Sequence, residues 1–356
     1  MPNSAKVQFN IKNFTPGVST PSSGIFYVIG ITQRGPVNRP DLFVINSWPQ
    51  FERIFGGLME TSDFPLLCQR AITRGAQLRV CRVNAVSTAA VKAAAKNIQN
   101  ADGSPKTLFT VRPKYEGANY NQISIQIIAA TNGDTANYFD IAVTHALEPA
   151  LNEYYANVYK FVQGTASVQT NLDEVKSMSQ LLDFTYADCS AATLLIPATG
   201  SASAFTGGVD PAGIVASDYV ASMQYFNGVD DGLIMAVPEI DASTVNAAGG
   251  NYAATRGDIV FFAHLPNATT TASGLKTERI TNIAINSKHI AYFGGGIRIR
   301  KPVTLVEKSI SEMGDVLGIA AYVHQNYGEW FSLSGQSKGS VMDALGVVNN
   351  FGTPGG

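Results

Sequence analysis

GITQRGPVNRPDLFVINSWPQFERIFGG, residues 30 to 57, decides how the rest of the chain is read. An apolar run ends at Gly30 and falls into a turn built from Gly35-Pro36 and Asn38-Arg39-Pro40. Proline fixes φ and glycine tolerates angles that other residues avoid, so the stretch reads as a rigid corner rather than a ligand-gripping loop. DLFVIN behind it predicts a second buried strand. Ser47, with Gln50 three residues on, has capping-box spacing, and Gly56-Gly57 stop the helix that follows. Tyr27, Phe43, Phe51 and Phe55 are expected in the core. Arg34 and Arg39 flank the corner and are expected to be free to face an acidic neighbour.

Outward from the corner, GIFYVIG predicts a buried strand, PLLCQRAITRG a helix with Pro65 in its first turn and Gly75 at its end, and QLRVCRV a strand. This is βαβ material. The alanine-rich residues 85–97 lead to a different texture, in which KTLFTVRP, NQISIQIIAA, YFDIAVTHA and NVYKFVQG alternate like antiparallel strands. Buried-strand runs then return as ATLLIPA, DGLIMAVPE, DIVFFAHLP and HIAYFGG, with helix-compatible segments between them. DVLGIAAYVHQNYG predicts an amphipathic helix and SVMDALGVV a shorter one. The fold class expected is α/β: a mostly parallel sheet with helices on both faces, an inserted antiparallel β domain and an extended N-terminal arm. The boundaries are 1–24 for the arm, 25–100 and 171–356 for the two parts of the α/β core, and 101–170 for the insertion.

At 356 residues with 45% hydrophobic and 15% charged content, the chain can bury a large core. No apolar run approaches the ~20 residues of a spanning helix, and MPNSAKVQFN lacks the apolar stretch of a secretory signal. Cys68, Cys81 and Cys189 have no metal spacing and read as reduced thiols. The charges are unevenly distributed. Residues 1–100 hold 11 basic and 4 acidic groups, residues 101–356 hold 14 and 23. This is either drift in surface composition or a basic region of one copy meeting an acidic region of another. Scattered basic residues without interleaved aromatics do not predict nucleic-acid binding.

The search for chemistry returns little. His145, His264, His289 and His324 share no metal-like spacing, and there is no GxSxG elbow or GxxxxGK[ST] loop. GGGIRIR, residues 294 to 300, reads as a turn entering a strand. Asp230-Asp231 and Asp188-Cys189-Ser190 precede predicted strands, whereas sites in open α/β sheets gather at the carboxyl ends. Pro197, Pro238 and His264-Leu265-Pro266 occupy those ends. No catalytic, cofactor-binding or metal residue is therefore predicted.

The opening stretch, followed by FPLLCQRAITRGAQLRVCRV, strongly resembles the N-terminal core signature of contractile tail sheath proteins. FTPGVST resembles that family's N-terminal arm, KYEGANYNQISIQI the strand opening its insertion, and FTGGVDPAGI the segment preceding its α/β core. DVLGIAAYVHQNYGEWFSLSGQSKG is similar to a segment near the family's end, with Ser332-Leu333-Ser334 where a proline-bearing turn is usual. The resemblance implies a non-enzymatic structural subunit of stacked hexameric rings around a tail tube, contracting to drive the tube through a host envelope during genome ejection. The alternative is the sheath of a phage-derived contractile injection system, tailocin or secretion-type; an α/β hydrolase-like enzyme is the alternative of another class. The implied partners are copies of itself, the tail tube protein, and baseplate and tail terminator proteins, with no cofactor, nucleic acid or membrane. The implied location is the virion, after assembly in the host cytoplasm. Phe9, Ile11 and Phe14 of the arm, with Arg34 and Arg39, are the candidate intersubunit contacts. Because the family normally continues past a point equivalent to NNFGTPGG, a C-terminally truncated chain is expected.

Overall fold

The structure is a computed structural model that describes residues 24–101, 105–159, 172–186, 196–302, 304–329, 331–335, 338–341 and 343–349. The first part of the chain supplies β1 (Ile25–Gly30), α1 (Trp48–Phe55), α2 (Phe64–Thr73) and β2 (Gln77–Arg82). Next come β3 (Lys96–Gln99), β4 (Thr107–Pro113), β5 (Ile123–Ala129), β6 (Tyr138–His145), β7 (Glu153–Tyr159), α3 (Leu172–Met178), β8 (Leu182–Tyr186) and β9 (Ser203–Ala204). The remainder is α4 (Ala216–Met223), β10 (Ile234–Ala236), α5 (Ser243–Arg256), β11 (Val260–His264), α6 (Ala272–Thr277), β12 (Ile290–Phe293), β13 (Ile297–Arg300), β14 (Glu307–Ile310), α7 (Met313–Asn326) and β15 (Gly346–Val347).

Five parallel strands form one sheet in the order β12-β11-β10-β1-β2. Successive side chains of a strand point to opposite faces, which splits this sheet's apolar residues into two cores. Tyr27, Ile29, Met235 and Phe261 pack against Tyr219 and Met223 of α4 and Val245 and Ala253 of α5. Phe26, Val28, Ile234 and Phe262 pack against Phe51 of α1, Phe64 and Ala71 of α2, and Leu317 and Ala321 of α7. Strands covered on both faces read as continuous apolar runs, and that is why they were legible. On the second face α7 lies close to α2: a Cβ at Gly314 would stand 2.6 Å from the Leu67 carbonyl oxygen, so a side chain there would force the helices apart.

The corner arrives as expected, with local differences. Gly56 (φ 92°) ends α1 and Gly75 (φ 96°) follows α2. Ser47 precedes α1 but makes no side-chain cap; instead Gln50 accepts from Asn46 N at 3.0 Å and donates to the Val44 carbonyl at 3.1 Å. DLFVIN is not a strand. Only Ile45 pairs, exchanging two 2.8 Å backbone bonds with Leu78, because the segment between Pro40 and the start of α1 crosses the edge of β2 instead of running along it. Nor is SVMDALGVV a helix: Asp343 sits at φ 57°, and Gly346–Val347 pairs antiparallel with β13. GGGIRIR does enter a strand, β13, whose sheet runs β14-β13-β15.

Two antiparallel sheets, β3-β4-β8 and β7-β6-β5-β9, enclose a separate core. Phe109 joins them, with its ring 6.4 Å from Phe139 and 6.2 Å from Phe184. This core draws on residues from Ala93 to Phe205, so its packing runs well past residue 170. Strand β8, which the sequence reading left in the α/β part, pairs with β4; an antiparallel closure over that distance leaves no local pattern. Most of ATLLIPA and all of Asp188-Cys189-Ser190 lie outside the described residues.

Candidate functional site

Arg34, read as an outward-facing contact, is buried at 1% exposure, and this corrects that expectation. Its backbone N donates to the Phe55 carbonyl at 3.1 Å. Nε donates to the Arg53 carbonyl at 3.3 Å and Nη2 to the Glu52 carbonyl at 2.5 Å. These carbonyls are in the last turn of α1, where the helix dipole favours a cation; that of Glu52 also accepts from Gly56 N at 3.0 Å. Nη1 then reaches Glu148 Oε1 at 2.6 Å, on the connection from β6 to β7. A single guanidinium thus caps α1 and clamps the β unit to the parallel-sheet core.

A second clamp lies beside it. Arg82, also 1% exposed, donates through Nη1 to the carbonyls of Gly35 (3.2 Å) and Glu116 (2.8 Å), and through Nη2 to Asp210 Oδ1 at 2.8 Å. Asp210 Oδ1 also accepts from Ala118 N at 3.1 Å. Gly35 has φ 99°, and a Cβ there would stand 2.7 Å from the Phe55 ring, so the corner closes only with glycine at this position. Buried charge is tolerated where it is paired, as at both arginines, although Arg82 Nε is buried without an acceptor.

His145, buried at the end of β6, sets the geometry of the first clamp. Its Nδ1 accepts from the backbone N of Leu147 (3.3 Å) and of Glu148 (3.0 Å), which leaves the proton on Nε2, 3.2 Å from Asn119 Oδ1. Burial lowers the pKa of this imidazole, with Glu148 opposing the shift.

Arg39 does face outward. Its guanidinium is 55% exposed and pairs side-on with Asp41, at 2.9 Å for both contacts. Arg34 and Arg39 are therefore not brought together. Phe9, Ile11 and Phe14 lie outside the described residues. Tyr27, Phe51 and Phe55 are in the core, and Phe43 is partly buried, 6.5 Å from Tyr115. Arg82, Glu148 and Asp210 were missed. The available signal was the charge asymmetry, a small part of which is satisfied within the chain: Arg34, Arg70, Arg79 and Arg82 pair with Glu148, Asp315, Asp231 and Asp210. Lys301 and Lys308 return the exchange to Glu60 and Asp63.

At the carboxyl ends of the parallel strands, Glu239 accepts from Ser62 Oγ at 2.7 Å and from Asp63 N at 2.8 Å, pinning the entry to α2. His264 ends β11 with Nε2 3.6 Å from Glu312 Oε2, an oxygen that also accepts from Gly296 N at 3.0 Å. Both residues are buried, and the pair bridges β11 to the start of α7. The sequence did not reveal this contact because Glu312 is distant along the chain. Among the described residues no group of three or more His, Cys, Asp or Glu could hold a metal ion, and no helix is long and apolar enough to cross a membrane. Cys68 and Cys81 are free thiols whose pKa values burial pushes up.

No family model matches the sequence, and neither does any curated protein. Solved structures do match. A sheath tail protein from Desulfitobacterium hafniense superposes with TM-score 0.50 at 15% identity, covering 97% of this chain and 66% of that one. A sheath tail protein from Listeria innocua gives TM-score 0.51 at 13% identity over 86% of this chain and 56% of that one. The chain thus has the fold of sheath tail proteins while spanning less than two thirds of the length of either.

Proposed function

We propose that this chain is a structural subunit of a contractile tail sheath, assembling as helically stacked hexameric rings around a tail tube and contracting to drive that tube through a host envelope. The observation that carries this reading is the fold match to a sheath tail protein across 97% of the chain. Sequence motifs of that family in the same chain order support it. Contraction of such a lattice repacks interfaces between subunits, so each subunit must move as one body. The Arg34–Glu148 and Arg82–Asp210 clamps suit that demand, because they tie the β unit to the sheet. Arg39 and the arm at residues 1–24 are the proposed contacts to neighbouring copies. The arm would add a strand to a neighbour's sheet edge, and β12 and β2 are the outer strands of the parallel sheet. Tube, baseplate and terminator proteins are the proposed partners, and the tail particle the proposed location.

The test is quantitative mass spectrometry of tail particles purified from the organism that encodes the chain, with antibody labelling in the electron microscope. Peptides of the chain at about one copy per tube subunit, and label along the whole tail, are expected of a helically stacked ring lattice. Absence from the particles, or label confined to one end, would sink the proposal.

A further inference from the structure

A cavity of about 200 Å³ lies among α2, β13 and the start of α7. Arg70 and Arg74 line it from the end of α2, Arg300 from β13, Asp315 from α7, and Asp343 from the segment before β15. Arg70 and Asp315 are closed on each other through two bonds, Nε to Oδ2 at 2.7 Å and Nη2 to Oδ1 at 2.9 Å. Arg74 is only half satisfied. Its Nη2 donates to the Ser340 carbonyl, while Nη1 is shielded from water and has no acceptor. Its stem lies against α7, where a Cβ at Gly318 would come within 2.9 Å of it. Arg300 is exposed, and no acceptor for its guanidinium is found among the described residues.

A buried N–H without an acceptor is costly, and a guanidinium presents its donors in the geometry of an oxyanion. Three guanidiniums against two carboxylates also leave one positive charge over. We propose that this cavity binds a single oxyanion, a carboxylate or phosphate group, held by Arg300 and by an Arg74 guanidinium that turns its Nη1 into the cavity on binding. The anion comes either from solution or from an acidic side chain of a second copy. The site shares no residue with the two clamps and does not depend on the sheath reading.

The test melts the 356-residue chain in inorganic phosphate and in chloride at matched ionic strength. Phosphate is expected to raise the wild-type melting temperature by ~2 °C or more, with the shift lost in Arg74→Met and in Arg300→Gln. Arg300→Gln alters an exposed side chain, so it reports even if Arg74→Met fails to fold. Sedimentation velocity separates the sources. If a second copy supplies the acid, the wild type self-associates, phosphate dissociates it, and Arg300→Gln is monomeric; a wild type that phosphate stabilises and that is monomeric throughout assigns the site to a free anion. A phosphate shift of equal size in wild type and both variants overturns the proposal. So does the absence of any shift in a chain that is monomeric or whose association Arg300→Gln leaves unchanged.

Discussion

The parallel sheet and the β unit solve the same problem in different ways. Strand β1 is buried at every position, because helices cover both faces of its sheet. Strands β5 and β7 alternate, because one face of each meets the shared core and the other meets solvent. Apolar contact holds each region together, but the joint between them relies on ions: Arg34 and Arg82 reach across with directional bonds to Glu148, Asp210 and the Glu116 carbonyl. Hydrophobic burial is non-directional and secures compactness, whereas a forked guanidinium fixes an angle. A subunit that must keep its shape while its surroundings rearrange needs both.

The sharpest way to break this comparison is Phe109→Ala. Phe109 is fully buried between both sheets of the β unit, and its loss should cost ~3–5 kcal/mol. Hydrogen exchange read by mass spectrometry should show protection lost in β4 to β8 and kept in β1, β10 and β11; equal loss in β1 would mean that the two cores do not unfold separately. Arg82→Met comes next, at ~2–3 kcal/mol for three lost charge-assisted bonds. Calorimetry should resolve two transitions where the wild type has one, and an unchanged single transition would count against the clamp.

A smaller effect tests His145. Its folded pKa is lowered, so the unfolded state binds the proton more readily, and stability should be intact above pH ~6.5 and decline as pH falls below that value. His324, likewise lowered by burial, adds a decline of the same sign from the α/β core. Melting curves from pH 7.5 to 5 should show a shallower acid slope for His145→Gln, the His324 part remaining; an unaltered slope would remove His145 from the account. The smallest effect belongs to Arg39→Gln, whose monomer stability should stay within ~0.5 kcal/mol of wild type. Should it instead melt as low as Arg82→Met, the division between inward clamps and outward contact would be wrong.

Local pattern determined a great deal. The runs FYVI, LRVC and VFFA, largely buried, could be placed as parallel strands from their apolar character and the helices between them, and Gly56, Pro65 and Gly75 bounded α1 and α2 because their backbone constraints act within a turn. The texture change into the β unit was equally visible, since alternation is a property of neighbouring residues. What only the tertiary structure decided is which distant groups meet. Arg34 and Arg39 are five residues apart in the same turn-rich stretch, and nothing local sends one inward and the other to solvent; Glu148 and the end of α1 make that choice. The same holds for β8, claimed by β4 across the unit, for β15, drawn into a strand by the open edge of β13, and for the ion pairs that join Arg70 to Asp315 and Arg79 to Asp231. The physical reason is common to all of these: propensity and periodicity are set by adjacent atoms, while pairing of ions and strand edges depends on groups that become neighbours only after the chain has folded.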